Sequence, residues 1–255
     1  MLLAAGTLWT REIVRFYRQP SRIVGALGSP LLFWVLLGSG LGRSFRAEGA
    51  PQGGYLEYFY PGTLALIVLF TAIFSTISII EDRQEGFLQG VLVAPVPRAA
   101  IVLGKILGSA TLALMQTVLF LLLAPFTYDG LGIATIARLL GIASLIAFGL
   151  SGLGFLMAWR LNSTQGFHAI MNLFLVPMWM LSGALFPASG ATGWIQWLMW
   201  INPLTYGVSA IRSTIHGHVA IGDPSVGLSL IVMSMFGAAM LAAGAWQVQL
   251  DGGAT

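Results

Sequence analysis

The chain has 255 residues, of which 57% are hydrophobic and only 8% are charged. A soluble domain carries roughly 25% charged residues, so this composition excludes an ordinary soluble fold and predicts an integral membrane protein. The net charge of +3 rests on 12 Lys and Arg against 9 Asp and Glu. So small an excess indicates a basic inner membrane face rather than a nucleic-acid partner.

Six long, nearly uncharged stretches follow one another, each long enough to cross the bilayer as a helix. They cover about residues 23–41, 59–80, 103–125, 136–158, 169–186 and 226–248. The sequence therefore predicts an all-α integral membrane protein whose residues 1–255 form one transmembrane domain. With the N-terminus inside, eight Lys and Arg lie on the cytoplasmic side, Lys105 among them, and four lie outside. This bias predicts that both termini are cytoplasmic. The outer four are Arg43, Arg46, Arg138 and Arg212.

The segment EDRQEGFLQGVLVAPVPR, residues 81–98, joins the second and third spans. Its apolar residues fall at i, i+1, i+4 and i+5, which places four side chains on one face of a two-turn helix. They are Phe87, Leu88, Val91 and Leu92. Three acidic residues stand on its N-terminal side, where the helix dipole favours anions, and Pro95 helps to end it. Such a helix fits a groove in another protein, or it rests on lipid or on its own bundle.

Residues 187–222 are too apolar for an ordinary loop and too interrupted for a seventh span. The segment WIQWLMWINPLTYGVSAIR has three Trp and one Tyr, residues that favour the membrane interface. Asn202-Pro203 breaks any helix through it. We expect two short helices that enter the outer half of the bilayer and return. The alternative for residues 194–212 is an amphipathic helix that lies flat on the membrane.

Signatures of catalysis and of energy coupling are missing. Gly104-Lys105 is followed by Ile106, so the chain has no phosphate-binding loop of the GxxxxGK[ST] type. The chain has no Cys, and its three His lack metal-binding spacing. We predict no catalytic, cofactor-binding or metal site. The spans have no Asp or Glu at mid-membrane depth, which disfavours an ion-coupled carrier. A passive channel, a scaffold and the membrane part of an externally powered machine remain.

Three segments resemble the ABC-2 type permeases, the membrane subunits of ATP-binding cassette exporters. LWTREIVRFYRQPSRIV is similar to the arginine-rich cytoplasmic helix that precedes the family's first span. EDRQEGFLQGVLVAPVPRAAIVLGK is similar to the loop after its second span. The stretch from SGALFP to INPLTYGVSAIR is similar to the outer hairpin before its last span. The family's six spans with both termini inside also agree with the prediction.

The resemblance implies a subunit that dimerises and is driven by two copies of a separate cytoplasmic ATPase, which binds the ATP and Mg²⁺. The 81–98 helix would be the coupling helix that docks into this ATPase. Its coupling residues would be Glu81, Glu85, Gly86, Phe87, Leu88, Leu92 and Pro95. Residues of the outer hairpin would be Asn202, Pro203, Tyr206 and Arg212.

The resemblance also implies that the first, second and fifth spans line the pathway of the dimer and that transport is outward. Candidate lining residues are Phe33, Phe70, Phe74 and Trp179, which are equally good core residues. The substrate stays open between a hydrophobic drug, a lipid and a lipid-linked glycan. The expected location is a bacterial cytoplasmic membrane.

Overall fold

The computed structural model describes residues 2–18, 20–41, 54–128 and 130–252, and the regular secondary structure in these ranges is helical. No β-strand occurs in these ranges. The α-helices in chain order are α1 Leu2–Tyr17, α2 Pro20–Leu41, α3 Tyr55–Ser75, α4 Ser78–Gln84, α5 Phe87–Val93, α6 Arg98–Leu121, α7 Ile133–Arg160, α8 Thr164–Trp179, α9 Gly193–Ile201, α10 Pro203–His216 and α11 Val226–Gly252. A π-helical turn, Met180–Ala184, extends α8. Short 3-10 turns lie at Ala124–Phe126 and Ala188–Gly190.

Five helical stretches of the described residues are long and apolar enough to cross a membrane. They are Tyr55–Gln84, Arg98–Phe126, Ile133–Arg160, Thr164–Ala184 and Val226–Leu250, and they coincide with the predicted second to sixth spans. The predicted first span falls on α2, whose apolar part, Leu27–Leu41, is shorter. A sixth crossing therefore stays a prediction. Arg43 and Arg46, which entered the orientation count, lie outside the described residues.

Several helices extend beyond the predicted spans, and side-chain contacts account for two of these extensions. The second span continues through α4, because the acidic side chains at its end are paired with other helices instead of facing water. The fifth span begins at Thr164, five residues before the predicted Ala169. Here the Ser163 hydroxyl accepts a hydrogen bond from the Gly166 amide at 3.2 Å, which caps the helix and fixes its start.

The helix α3 lies at the centre of the bundle and contacts α2, α6, α7 and α8. Within Tyr55–Gln84, 83% of the most apolar part is buried.

The helix α1 packs along α6, where two glycines leave room for its backbone and side chains. A Cβ atom on Gly104 would lie 2.8 Å from the Ala5 carbonyl oxygen, and one on Gly108 would lie 2.7 Å from the Glu12 Cβ. This Gly-x-x-x-Gly pair therefore serves a helix contact within the chain.

The segment that contains Asn202 forms two helices, as the sequence predicts. The α9 helix leaves Trp194, Trp197 and Trp200 exposed. The α10 helix is buried from residue 204 to residue 213, against α3, α7 and α11. Burial of this kind distinguishes α10 from a helix that lies flat on a membrane surface. Entry of the two helices into the bilayer stays a prediction.

Candidate functional site

A left-handed glycine separates the second span from the predicted coupling helix. Gly86 has a φ of 77°, and no atom would approach a Cβ there within 4 Å. The residue is therefore required for its backbone conformation and not for close packing. Glu81 precedes this turn in α4, whereas Phe87 begins α5. The helix α5 ends at Val93, before Pro95, as predicted. We call this end of the bundle the loop end.

A buried cluster of charges joins α1, α4 and α6 at the loop end. The Asp82 carboxylate accepts two hydrogen bonds of 2.7 Å from the Arg11 guanidinium and one of 2.8 Å from Arg15. Lys105 donates to the same carboxylate, and it also donates to Glu12 at 2.5 Å. These bonds to Asp82 raise the pKa of Arg11 above its ordinary value. We call Arg11, Glu12, Arg15, Asp82 and Lys105 the Asp82 cluster.

Sequence reasoning missed the Asp82 cluster. The orientation count treats Lys105 as one charge of the cytoplasmic side, and the structure shows in addition that only 2% of it is exposed. Asp82 was placed ahead of the coupling helix as a partner of its dipole, but it is fully buried and paired with cations instead. One signal was present: Glu12 falls on the same face of α1 as Leu8 and Phe16, which are buried.

On its other side, α4 is tied to the turn between α7 and α8. The Arg83 guanidinium donates to the carbonyl oxygens of Trp159 and Leu161, the second at 3.2 Å. It also donates to the Asn162 side chain at 3.0 Å. These bonds occupy carbonyls that the end of α7 leaves without helical partners. The short helix α4 is therefore held by side chains or backbone of α1, α6 and α7.

The predicted coupling residues divide into exposed and buried ones. Phe87 is 36% exposed, and the Arg11 guanidinium lies 3.7 Å from its ring centre. Leu88 is only 3% exposed and belongs to the chain's own core, against which Leu92 also packs. Val93, which the prediction omitted, is 86% exposed. Pro95 and Glu85 are exposed, and Glu85 pairs with Arg15 at 3.3 Å.

A cavity of about 550 Å³ lies between α2, α3 and α8 and reaches the side chains of α1 and α4. The four aromatic residues predicted to line a pathway all line this cavity: Phe33, Phe70, Phe74 and Trp179. Trp179 is fixed by an indole hydrogen bond to the Gly62 carbonyl at 2.9 Å. Phe33 and Val176 are both more than a third exposed, so the cavity opens at the surface of the chain.

At the opposite end, which we call the hairpin end, side chains hold the π-helical turn that extends α8. Gly183 has a φ of 81° within this turn. Its carbonyl accepts hydrogen bonds from Arg212 at 2.6 Å and from the Tyr58 hydroxyl at 3.2 Å. Arg212 also pairs with Asp223 at 3.1 Å. Arg212, predicted as an outer charge, is thus buried in a lock between α3, α8 and α10.

The remaining predicted hairpin residues stabilise the junction between α9 and α10. The Asn202 side chain caps α10 by accepting from the Leu204 amide at 3.0 Å, and it donates to the Met178 carbonyl at 2.6 Å. Pro203 occupies the first turn of α10, where its missing N–H has no cost. The Tyr206 hydroxyl donates to the Trp200 carbonyl at 2.9 Å. Three of the four predicted hairpin residues therefore lie at the junction of α9 and α10, whereas Arg212 lies at the Gly183 turn.

The fold is that of a multi-pass, all-helical membrane protein, with a short helix between two spans at one end and a two-helix hairpin at the other. Residues 4–216 match the family model described as ABC-2 type transporter. The chain belongs to this family and is a permease-type membrane subunit of an ABC transporter.

Curated relatives agree with this family. A "Putative transport permease ycf38" of Cyanophora paradoxa is 27% identical over 79% of this chain and 70% of its own length. The "Daunorubicin resistance ABC transporter permease protein DrrB1" of Streptomyces coeruleorubidus is 24% identical over 88% of this chain and 78% of its own. "Nodulation protein J" of Rhizobium meliloti (strain 1021) is 26% identical over 88% and 83%, respectively.

Proposed function

We propose that two copies of this chain form the pathway of an ATP-driven exporter and that a separate cytoplasmic ATPase docks on α5. The ATPase supplies the ATP and Mg²⁺ sites, in two copies per transporter. The pathway subunit lies in the cytoplasmic membrane of a bacterium, with both termini and the loop end in the cytoplasm. The Lys and Arg bias of the predicted loops supports this orientation.

The observation that carries the proposal is the attachment of α5 to the bundle. Leu88 anchors one face of the helix in the core, while Phe87 and Val93 are available on the surface. The preceding α4 is bound to α1 and α6 through Asp82 and to α7 through Arg83. A displacement of α5 would therefore be passed to several helices at once. A freely flexible loop could not transmit it.

The cavity supports a dimeric pathway. It is open on the surface between α2 and α8, and large apolar side chains of both helices are exposed there. Examples are Leu32 and Leu36 on α2 and Leu173 and Phe174 on α8. A second copy of the chain would cover this surface and close the cavity. The hairpin end would then lie at the outer exit of the pathway.

The experiment is co-purification of the ATPase with a tagged chain, for wild type and two matched variants. Val93→Asp places a charge at an 86% exposed position, so the fold should tolerate it, but a docked ATPase would bury it. We expect the amount of co-purified ATPase to fall about tenfold or more. Val219→Asp, at an exposed position near the opposite end, should leave it unchanged.

A passive channel or a membrane scaffold predicts a different result. In that case no ATPase with a Walker motif would accompany the wild-type chain in equal amounts, and Val93→Asp would behave like Val219→Asp. Either outcome would overturn the proposed division of labour. Leu88 is unsuitable for this test because its burial would turn a substitution into a folding defect.

A further inference from the structure

The cavity between α2, α3 and α8 changes its chemical character along its length. Its lining on α8 extends from Thr164 to Trp179, which corresponds to roughly 22 Å of helix. Apolar side chains wall the part toward Trp179: Phe33, Leu66, Phe70 and Val176. Polar side chains line the part toward the loop end: Glu12, Arg15, Glu81, Thr164, Gln165 and His168.

The charged groups at the polar end are already paired with one another. Arg15 binds Glu81 at 2.9 Å and Asp82 at 2.8 Å. Glu12 binds the ammonium group of Lys105 at 2.5 Å. A charged ligand would have to break one of these pairs, which are at least partly buried, or leave its own charge without a partner, and both are unfavourable where water is partly excluded. The polar end therefore disfavours ligands that carry a net charge there.

Three further polar side chains at the same end do not take part in these ion pairs. Thr164, Gln165 and His168 have no hydrogen-bond partner among the residues that the structure describes, although the His168 ring packs on Phe74 with 4.8 Å between centroids. A Gln amide offers two donors and an acceptor, and a Thr hydroxyl offers one donor and two acceptor positions. Together they can bind several hydroxyl groups of one ligand.

We propose that the cavity binds an elongated amphiphile with an uncharged, hydroxyl-rich head, such as a sugar or polyol joined to an apolar tail. The head lies at Thr164, Gln165 and His168, and the tail lies along the aromatic wall toward Trp179. This orientation matches that of a lipid in the leaflet at the loop end, whose head faces that side of the membrane. The inference rests on the proposed function, since it names the substrate class of that pathway.

The test uses three photoactivatable lipids that share one diazirine-bearing acyl chain and differ only in the head group. The head groups are a single glucose, which is uncharged, a phosphoglycerol, which is an anion, and a trimethylammonium group, which is a cation. Each lipid is added in trace amounts to vesicles that contain the purified chain without ATPase or ATP. After irradiation, mass spectrometry measures how much of each lipid is attached to peptides of α3 and α8. We expect the glucosyl lipid to label them at least about fivefold more than the two charged lipids.

Substitutions locate the head group. Gln165→Leu and Thr164→Val should each lower labelling by the glucosyl lipid about threefold to tenfold, with little effect on labelling by the charged lipids. Thr135→Val is the matched control: Thr135 lies on α7, away from the cavity lining, and its substitution should change nothing. Thermal unfolding of every variant shows whether the fold is retained.

Equal labelling by the three lipids, or a preference for a charged head, would overturn the proposal. So would glucosyl labelling that is unchanged in both cavity variants, because the head would then lie elsewhere. The vesicles contain no ATPase, so these results are independent of docking on α5. If the glucosyl lipid labels selectively but no ATPase co-purifies, the proposed ATP-driven mechanism is refuted. If the ATPase co-purifies but labelling is not selective, only the substrate class is refuted.

Discussion

The helices are held together at both ends of the bundle, but by different kinds of interaction. At the loop end, helices are joined by side-chain ion pairs that converge on Asp82. At the hairpin end, Arg212 and Tyr58 donate to the backbone carbonyl of Gly183, where α8 departs from regular helix. At the loop end, charged side chains join regular helices to one another. At the hairpin end, side chains donate hydrogen bonds to a carbonyl where α8 loses its regular helical geometry.

The difference has a mechanical consequence. The Asp82 cluster connects side chains, so α1, α4 and α6 can keep their ion pairs while moving together. The hairpin lock instead depends on one backbone geometry, since Gly183 must hold a left-handed conformation. We therefore expect the loop end to behave as a rigid unit and the hairpin end to be sensitive to local backbone change. The following predictions separate these behaviours.

The largest effect is expected for Asp82→Asn. The substitution keeps the shape of the side chain but removes the carboxylate that binds three cations, Arg11, Arg15 and Lys105. The remaining acidic partners are Glu12 and the partly exposed Glu81 and Glu85. Breaking a buried ion network in this way costs about 4–5 kcal/mol, seen as a much lower thermal midpoint in detergent. Glu85→Gln should cost about 0–1 kcal/mol, because that carboxylate is exposed. Equal effects of the two would show that the cluster has no structural role.

Arg212→Leu should have the next largest effect, about 3 kcal/mol. It leaves the buried Asp223 carboxylate unpaired and removes the donor to the Gly183 carbonyl. Arg138→Leu is the control, since Arg138 is exposed and, among the described residues, bonds only to the Ala134 carbonyl of its own helix; we expect less than about 0.5 kcal/mol. Chemical unfolding of both variants in detergent compares them directly.

Gly183→Ala should destabilise the protein by about 1–2 kcal/mol through backbone strain alone. The nearest atoms to an added Cβ are 3.7 Å away, so no clash contributes. Gly141→Ala, at an open helical position in α7, should be neutral or stabilising by up to about 1 kcal/mol. Thermal midpoints that move equally in both variants would contradict a requirement for the left-handed conformation.

The smallest effect concerns pH at the hairpin end. Burial, aided by the nearby charges of Arg212 and His218, lowers the pKa of His216 to about 4, although the Glu57 carboxylate lies 3.7 Å away and the Tyr128 ring packs on the imidazole. The unfolded chain therefore takes up the proton first as pH falls below about 6.5, and the folded state loses stability down to about pH 4.

Thermal midpoints at pH 7 and pH 5 measure this effect. The wild type should unfold at a lower temperature at pH 5, and His216→Gln should show a smaller decrease. His168→Gln is the control, because His168 is exposed and packs on Phe74 away from His216. A decrease of the same size in His216→Gln would assign the pH dependence to other groups.

Much of the fold could be predicted because its signals are local. Long apolar runs gave the five membrane-length helices, and the spacing of Phe87, Leu88 and Leu92 gave α5. Asn202-Pro203 gave the junction between α9 and α10 for a physical reason: an Asn cap and a Pro in the first helical turn favour a helix start.

What could not be predicted depends on which helices meet. Lys105 is 93 residues from Glu12 and 23 residues from Asp82 along the chain. Each of the three looks like an ordinary charge at the end of an apolar segment. Their mutual burial follows only from the packing of α1 on α6. Leu88 and Val93 illustrate the same limit: the periodicity located the helix but not the side that faces the chain's own core.

The absence of cysteine from the sequence permits the most direct test of ATPase docking. A single cysteine is introduced by Val93→Cys or, as the control, by Val219→Cys, and is labelled with a benzophenone maleimide in native membranes. The account predicts that irradiation joins the Val93→Cys chain to a Walker-motif ATPase and that the Val219→Cys chain forms no such product. Crosslinking of the ATPase from neither position, or equally from both, would contradict docking on α5.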